Sequence, residues 1–456
     1  MTKMMGGGAD GLRAFQLFNL AFGVAVGIGW IMVMGAWLEA AGPLGSLTAF
    51  AATGAVMLTV AYSYAAVAIE SPVAGGEFVY ATRAFGARVG MWVGWFLALA
   101  YVVVIAFEMV SLPWVIRELV PGLPPAPSGS WAFDPVGLMI GSTALLGVIL
   151  FNLKGAATAT RLQDTLVLVK VVLSLLLLVA GLIFGEVRNL TPLWGEQAAG
   201  SAAPGILAVL AMAPFFYSGF GVISQAVGEV RKPETIRRLP WVMAMIIVGT
   251  ALFYILIILA SAMAAPRALT LGASLPASAA FAHISPLLGK VVLLLGILGL
   301  LTILNGIYFA AVRLIQTLAD AGLLPGMLGR LEGQDGISTN AGLFVAGVSI
   351  LFAVSGKAML APFLNVASAV FSAVMAVVCL VLIRHRLGAR HWRSQLAPLI
   401  GALLTTAMVI TTMVEAVRAS PFAIAPEWLV IVGWAFVGFL FGFARDRRDI
   451  ACGHSR

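Results

Sequence analysis

Two ionisable residues lie where ionisable side chains are costly. Glu108 sits in the apolar run YVVVIAFEMV, and Lys170 lies nine residues beyond Arg161 inside another apolar run. A charge at the centre of a bilayer costs about 2.5–3.5 kcal/mol on insertion scales, so such a residue faces a cavity or a partner. A carboxylate there can bind the cationic end of a ligand, carry a proton, or serve as a hydrogen-bonded structural group. Glu108 is open to all three, including pairing with a buried cation such as Lys170. A buried lysine ammonium can release and regain a proton. The alternative for Lys170 is a stem that snorkels one to two turns toward the membrane surface.

The second chemical feature is a pair of glycine-broken apolar segments. The first is FGVAVGIGW, Phe22–Trp30, and the second is APFFYSGFG, Ala213–Gly221. Glycine weakens a helix and Pro214 lacks a backbone donor, so neither segment is expected to run as a continuous α-helix. Interrupted backbone at membrane depth is tolerated where it is buried in protein or lines a cavity. A pair of breaks at matching places in two halves points to a transporter's substrate site.

At the first break, Ala25, Gly27, Ile28 and Gly29 are candidate substrate contacts. The helix half starting there would aim backbone N–H groups and about half a unit of positive charge at the cavity, which suits a carboxylate. Close helix packing through small residues is the competing use of these glycines. Ile28 carries no hydroxyl and Trp30 is bulky, so carboxylate binding would rest on backbone donors, and an amine lacking a carboxylate also fits. At the second break, Phe216, Ser218 and Gly219 are candidate contacts, with freed carbonyls expected to accept an ammonium. Aromatic residues such as Phe216 are equally at home in a buried core.

These elements need a membrane to sit in. The chain has 456 residues, 61% hydrophobic and 10% charged, against about 25% charged in a soluble domain. Twelve apolar segments are predicted, at 15–40, 45–69, 86–118, 133–153, 162–185, 204–229, 240–264, 287–319, 341–356, 360–384, 395–417 and 427–444. They leave no room for a soluble catalytic domain. A short outside segment at 276–285 reads as a re-entrant or surface helix. The net charge of +8 is segregated: alternate loops carry 19 Lys/Arg on one side and 6 on the other, with Lys170 and Arg313 in helices. The basic side holds both termini and is cytoplasmic by the positive-inside rule. Those charges therefore set topology, and nucleic acid is not expected as a partner. The expected location is the cell membrane of a bacterium, multi-pass. Cys379 and Cys452 are poorly placed for a structural disulfide. The glycine-rich N-terminus has no signal-peptide cleavage site.

The predicted organisation is a cytoplasmic tail at 1–12, a five-helix repeat at 13–186, an inverted five-helix repeat at 204–384, two accessory helices at 394–445, and a cytoplasmic tail at 446–456. Between the second and third segments lies PVAGGEFVYATRAFG, residues 72–86. Gly75 and Gly76 permit a tight turn there, and Arg83 can latch onto carboxylates or carbonyls, so this loop is the expected intracellular gate. On the eighth segment, Asn305-Gly306 can bend the helix, and Arg313 is expected to pair near its end with Asp320 or Glu70.

Several of these strings together resemble the amino acid–polyamine–organocation permeases. Gly27-Ile28-Gly29 resembles that family's G-x-G. Residues 72–86 closely resemble its P-x-x-G-G-x-[YF]-x-Y-x-x-R-x-F-G, the most specific match. TRLQDT at 160–165 leading to Lys170 is similar to the cationic and large-neutral amino acid members. EVRKPE at 229–234 resembles E-x-x-[KN]-P, and LADAGLLP at 318–325 is similar to A-x-D-G-x-x-P. The resemblance spans residues 13–445. It implies an all-α membrane protein of twelve transmembrane helices in a LeuT-like 5+5 inverted repeat, with helices 1 and 6 broken, plus two accessory helices. It implies that Phe216 covers the substrate as a gate. It also implies that Lys170 stands where sodium-driven relatives bind their second sodium, so that protons replace sodium. It turns the face of the third segment carrying Tyr101, Ile105 and Glu108 toward the substrate.

The function expected is secondary active transport of an amino acid, with protons as the coupled ion and no cofactor, favouring a cationic substrate if Glu108 contacts it. An exchanger or uptake permease for decarboxylated amines or polyamines is the alternative. An integral membrane enzyme would need clustered nucleophiles, acids or metal ligands. The four histidines show no metal-ligand spacing with the cysteines, and neither a P-loop nor a Gly-x-Ser-x-Gly elbow occurs. A non-transporting sensor would usually carry a soluble domain. Oligomeric state is not readable.

Overall fold

The computed structural model describes residues 12–73, 75–127, 129, 132–153, 156–195, 201–330, 338–387 and 392–453. Most of the N-terminal tail, the end of the C-terminal tail, Ala74 of the expected gate loop, most of the loop at 333–340 and Arg390 lie outside these residues.

Every regular element among the described residues is a helix. In chain order they are α1 (Ala14–Ala25), α2 (Gly29–Glu70), α3 (Gly76–Phe85), α4 (Ala87–Leu119), α5 (Pro135–Leu153), α6 (Ala156–Phe184), α7 (Ala203–Tyr217), α8 (Val222–Ala226), α9 (Pro233–Arg237), α10 (Leu239–Ala264), α11 (Arg267–Leu271), α12 (Pro276–Ile284), α13 (Pro286–Asp320), α14 (Thr339–Ala353), α15 (Leu360–His385), α16 (Leu396–Ala419) and α17 (Pro426–Gly453). Among the described residues, nine helical stretches are long and apolar enough to cross a membrane, and α1, α14 and Pro426–Phe441 are shorter apolar helices. This is the layout of a multi-pass membrane protein.

The turns follow from local chemistry. The expected first and second segments merge in α2, whose course is broken only at Gly42, with φ 70° and ψ 174°. A Cβ at Gly42 would lie 2.5 Å from the Trp194 carbonyl carbon, so the position demands glycine both for its φ and for its space. The amide of Leu44, just past Pro43, then donates to Leu193 O at 3.0 Å. Before α5, Asp134 accepts the Gly137 amide at 2.8 Å and receives the forked guanidinium of Arg117 at 2.7 and 2.8 Å. Those hydrogen bonds from Arg117 hold its carboxyl below the usual carboxylate range. The segment at 276–285, expected as a re-entrant or surface helix, is α12, with Ala277, Ala280 and Phe281 buried.

Burial separates core from rim. Every residue of α4 from Leu97 to Met109 is buried, as a helix apolar on all sides must be when it threads a bundle. It packs on α13 and α15. Helices α6, α16 and α17 instead expose Leu175, Ile183, Leu403, Ile410, Phe436 and Phe439, surface that only lipid can cover favourably. The two expected breaks meet in the interior, where α1 packs against the turn that follows α7.

Candidate functional site

The first break has the expected form. Helix α1 stops at Ala25 because Val26 leaves helical geometry, with φ −106° and ψ 86°, and helix resumes at Gly29. An interrupted helix leaves carbonyls without intrahelical donors. Here they are taken from outside. Lys170 Nζ, on α6, donates to Gly23 O at 3.0 Å, to Val26 O at 2.6 Å and to Thr302 Oγ1 of α13 at 2.9 Å. Tyr254 Oη of α10 donates to Ala25 O at 2.7 Å. An ammonium has three protons, and all three have acceptors. Lys170 is therefore a buried tether on the break, 1% exposed, and not a snorkelling surface charge.

The second break departs from expectation. After Tyr217 the chain tightens into a 3₁₀ turn, Ser218–Gly221, and continues into α8, so the backbone is overwound and stays helical. The carbonyls expected to be free are in use. Ser218 Oγ donates to Phe215 O at 2.7 Å. Around Pro214, which lacks a donor, Ser368 Oγ of α15 accepts the Phe215 amide at 3.1 Å and donates to Met212 O at 3.1 Å. Thr412 of α16 donates to Ala211 O at 2.7 Å. The physical reason for the tight turn is contact: a Cβ at Gly219 would lie 2.5 Å from Ala25 N and would also strike Ala21 O, so the turn presses bare backbone onto α1. Ala25 and Gly219 are thus brought together.

Glu108 reaches the same place. It is fully buried, and neither carboxylate oxygen has a hydrogen-bond partner among the described residues. Its Oε1 lies 3.5 Å from where a Gly27 Cβ would be, a position that the Ile303 side chain of α13 also crowds. The backbone of Gly27 further abuts Gly299, and Ile28 faces Gly296. Lys170 spends its donors on carbonyls and Thr302, so the alternative of a direct pairing with Glu108 is not among its bonds. Tyr101 and Ile105 are buried on the same helix; the Tyr101 ring packs on Phe371 of α15 at 6.0 Å.

Phe216 lies against Gly29, whose Cβ would sit 2.9 Å from the ring. Its ring is edge-on to Trp37 at 4.9 Å and to Tyr254 at 5.3 Å, with Phe50 at 5.9 Å. All four are buried, and together they form an aromatic layer over the break. On the other side of the 3₁₀ turn, α3 docks on α8. Gly75 and Gly76 have φ of 92° and 42°, and a Cβ on Gly76 would collide with Ser224 and Gln225. Gln225 donates to the buried carboxyl of Glu77 at 2.6 Å. Burial pushes that carboxyl above its usual range. Arg83 donates to Ser71 Oγ at 2.9 Å, a hydroxyl and not the expected carboxylate or carbonyl. Arg313 pairs with Glu229, and Glu70 with His385, correcting the expected partners of Arg313. Helix α13 passes through Asn305-Gly306 without interruption.

One group of residues escapes the reading of the sequence. Asn152 Nδ2 donates to Asn305 Oδ1 at 2.9 Å, Asn305 Nδ2 to Gln163 Oε1 at 3.0 Å, and Gln163 Nε2 to Thr302 O at 3.3 Å. This buried string joins α5, α6 and α13 beside the Lys170 tether. Asn19 donates to Asp164 at 2.7 Å one turn before Gly23. The available signal is a side-chain amide in each of three apolar segments, with a second, Gln316, on α13. Among the described residues no group of three His, Cys, Asp or Glu side chains could hold a metal ion.

The arrangement sets a buried lysine and a buried carboxylate at a break in a helix inside the bundle. Comparison with known proteins gives the family. Residues 12–438 match the family model described as amino acid permease. The chain is 25% identical to the amino-acid permease RocC of Bacillus subtilis over 74% of its length and 71% of the relative. It is 26% identical to the lysine-specific permease LysP of Escherichia coli over 76% of its length and 72% of the relative. A methylthioribose transporter of Bacillus subtilis is 24% identical over 70% of the chain and 69% of the relative. With a buried tether on one helix break, a bare carboxylate beside it and a family match from residue 12 to 438, this chain belongs to the amino acid permease family.

Proposed function

We propose that the protein is a proton-coupled amino acid uptake permease that favours cationic substrates, working by alternating access around the break in α1. The carrying observation is Lys170 Nζ bound to both Gly23 O and Val26 O while the carboxylate of Glu108 stands unpartnered at Gly27. In this reading the substrate carboxylate meets the backbone donors of Gly27–Gly29, its ammonium meets the remaining lone pairs of carbonyl oxygens near the two interruptions, and a cationic side chain meets Glu108. Phe216 covers the site on one face, and Gly75, Gly76 and Arg83 close the other. When Lys170 loses its proton it keeps two N–H donors for Gly23 O, Val26 O and Thr302 Oγ1, and its hold on the break is no longer charge-assisted. Hydrogen bonds to charged groups are worth about 1.5–3 kcal/mol, against about 1 kcal/mol for neutral ones. The first half-helix α1 is thereby loosened, and protonation reseats it. Two inverted repeats of five helices, both termini cytoplasmic in a bacterial cell membrane, complete the reading.

Uptake into proteoliposomes tests it. Glu108→Gln is expected to abolish transport of lysine and arginine and to spare neutral amino acids; equal loss of both counts against substrate contact. A second reading is favoured by one feature: the Lys170 ammonium at the break is spent on the carbonyls of Gly23 and Val26 and on Thr302, so a substrate carboxylate at Gly27–Gly29 would have backbone donors to rely on. That suits an exchanger or uptake permease for decarboxylated amines. Thermal stabilisation of the purified protein by amines and by no amino acid would select it.

A further inference from the structure

The start of the half-helix α1 borders a surface groove. Between its start and the start of α10 lies an open pocket of about 380 Å³, walled by Phe15 and Phe18 of α1 and by Arg238, Trp241 and Met245 at the head of α10. Its rim is unusual for a protein surface. Phe15 is 67% exposed and Trp241 72% exposed. Large aromatic rings exposed at the end of a spanning helix belong at the headgroup level of a bilayer. The same end is strongly basic. Arg237 and Arg238 are exposed immediately before α10, Arg13 is exposed immediately before α1, and Arg231 and Lys232 precede α9. The acidic residues in these stretches are Glu229, which pairs with Arg313, and Glu234.

We propose that this pocket binds one anionic phospholipid. Its acyl chains lie on Phe15, Phe18 and Met245, and its phosphate lies against Arg238 beside Trp241. A cluster of Lys and Arg at the mouth of a helix–helix groove is the charge pattern that selects anionic over zwitterionic headgroups. An apolar floor beneath it selects a lipid over a free anion. The lipid bridges α1 to α10. It therefore braces the half-helix that ends at the Val26–Ile28 break. This site is independent of which solute the protein moves.

The test is native mass spectrometry of the full chain released from detergent, with phosphatidylglycerol and phosphatidylcholine of matched acyl chains added in turn. One phosphatidylglycerol should stay bound with clear preference over phosphatidylcholine. Arg238→Gln should weaken that preference about fivefold, the worth of one arginine at an anionic membrane surface. Trp241→Ala should weaken retention of both lipids. Arg418→Gln, a remote exposed arginine that pairs with Glu415, should change neither. Equal retention of the two lipids, or equal loss from Arg238→Gln and Arg418→Gln, would overturn the site in favour of diffuse surface charge. Stabilisation by inorganic phosphate equal to that by phosphatidylglycerol would overturn it in favour of a simple anion site. Circular dichroism of each variant separates loss of lipid from loss of fold.

Discussion

The two helix interruptions are built from similar residues and stitched in opposite ways. At the first, the backbone unwinds over Val26–Ile28, and its carbonyls are held by a lysine, a tyrosine and the threonine that the lysine also touches. At the second, the backbone overwinds into a 3₁₀ turn, and the groups around Pro214 are held by Ser368 and Thr412. Every group on the second break keeps its hydrogens at any physiological pH. The first break depends on an ammonium. On the proposed reading, one interruption is therefore switchable and the other is a fixed stop against which the first can move. Gly219 makes the contact between them: bare backbone of the 3₁₀ turn bears on the last turn of α1.

The hardest test of that contrast is Lys170→Met. It removes all three donors at once and leaves Gly23 O and Val26 O to be resatisfied. Hydrogen bonds to charged groups are worth about 1.5–3 kcal/mol each, so uptake driven by a pH gradient should fall by about two orders of magnitude. Counterflow exchange of substrate, which needs no net proton movement, should survive. Retention of gradient-driven uptake with an unchanged pH profile would break the comparison, because the first interruption would then be as passive as the second.

The next test compares two glycines, each replaced by alanine. In Gly219→Ala the new methyl would meet backbone atoms of Ala21 and Ala25, which cannot step aside. In Gly27→Ala it would meet the side-chain end of Ile303, which can. Overpacking costs about 1–3 kcal/mol, so both single variants should lose roughly tenfold or more in uptake. Gly27→Ala combined with Ile303→Ala should recover most of the loss, whereas no side-chain truncation should rescue Gly219→Ala. Rescue of neither would place Gly27 against rigid structure too and remove the distinction between a movable and a fixed break.

Much of this is legible in the chain. Glu108 and Lys170 stand out because ionisable groups in apolar runs are rare, and Gly27 and Gly219 because glycine pairs interrupt helices. What hydropathy does not show is how each interruption is resatisfied. Thr302, Tyr254, Ser368 and Thr412 are single hydroxyls on four different helices, and nothing local in any of those helices marks them. The Asn152–Asn305–Gln163 string is hidden for the same reason. The overwound second break defies its sequence because Ser-Gly-Phe-Gly has no preference that separates an unwound strand from a 3₁₀ turn, and packing against α1 decides. The Gly42-Pro43 break does carry a signal, since that dipeptide marks turns. Proximity along the chain favours Asp320 for Arg313, yet Glu229, far away in sequence, is its ion-pair partner.

The finest test sets one hydroxyl of each break against the other. Tyr254→Phe leaves Ala25 O without its donor, and Ser368→Ala leaves the Phe215 amide without its acceptor and Met212 O without its donor. All three are neutral hydrogen bonds, so stability should fall by about 1 kcal/mol for Tyr254→Phe and about 2 kcal/mol for Ser368→Ala, read as small shifts in melting temperature of the purified protein. Their effects on the pH profile of uptake should differ. Ala25 O lies in the same broken turn as the Gly23 and Val26 carbonyls that hold Lys170, so a carbonyl freed there competes for the ammonium and should move the profile toward higher pH. Ser368 touches no titratable group in the break, so its loss should leave the profile in place. A shift with Ser368→Ala would mean that the second interruption also feels the proton. The two breaks would then act as one device, and the fixed stop would be no stop at all.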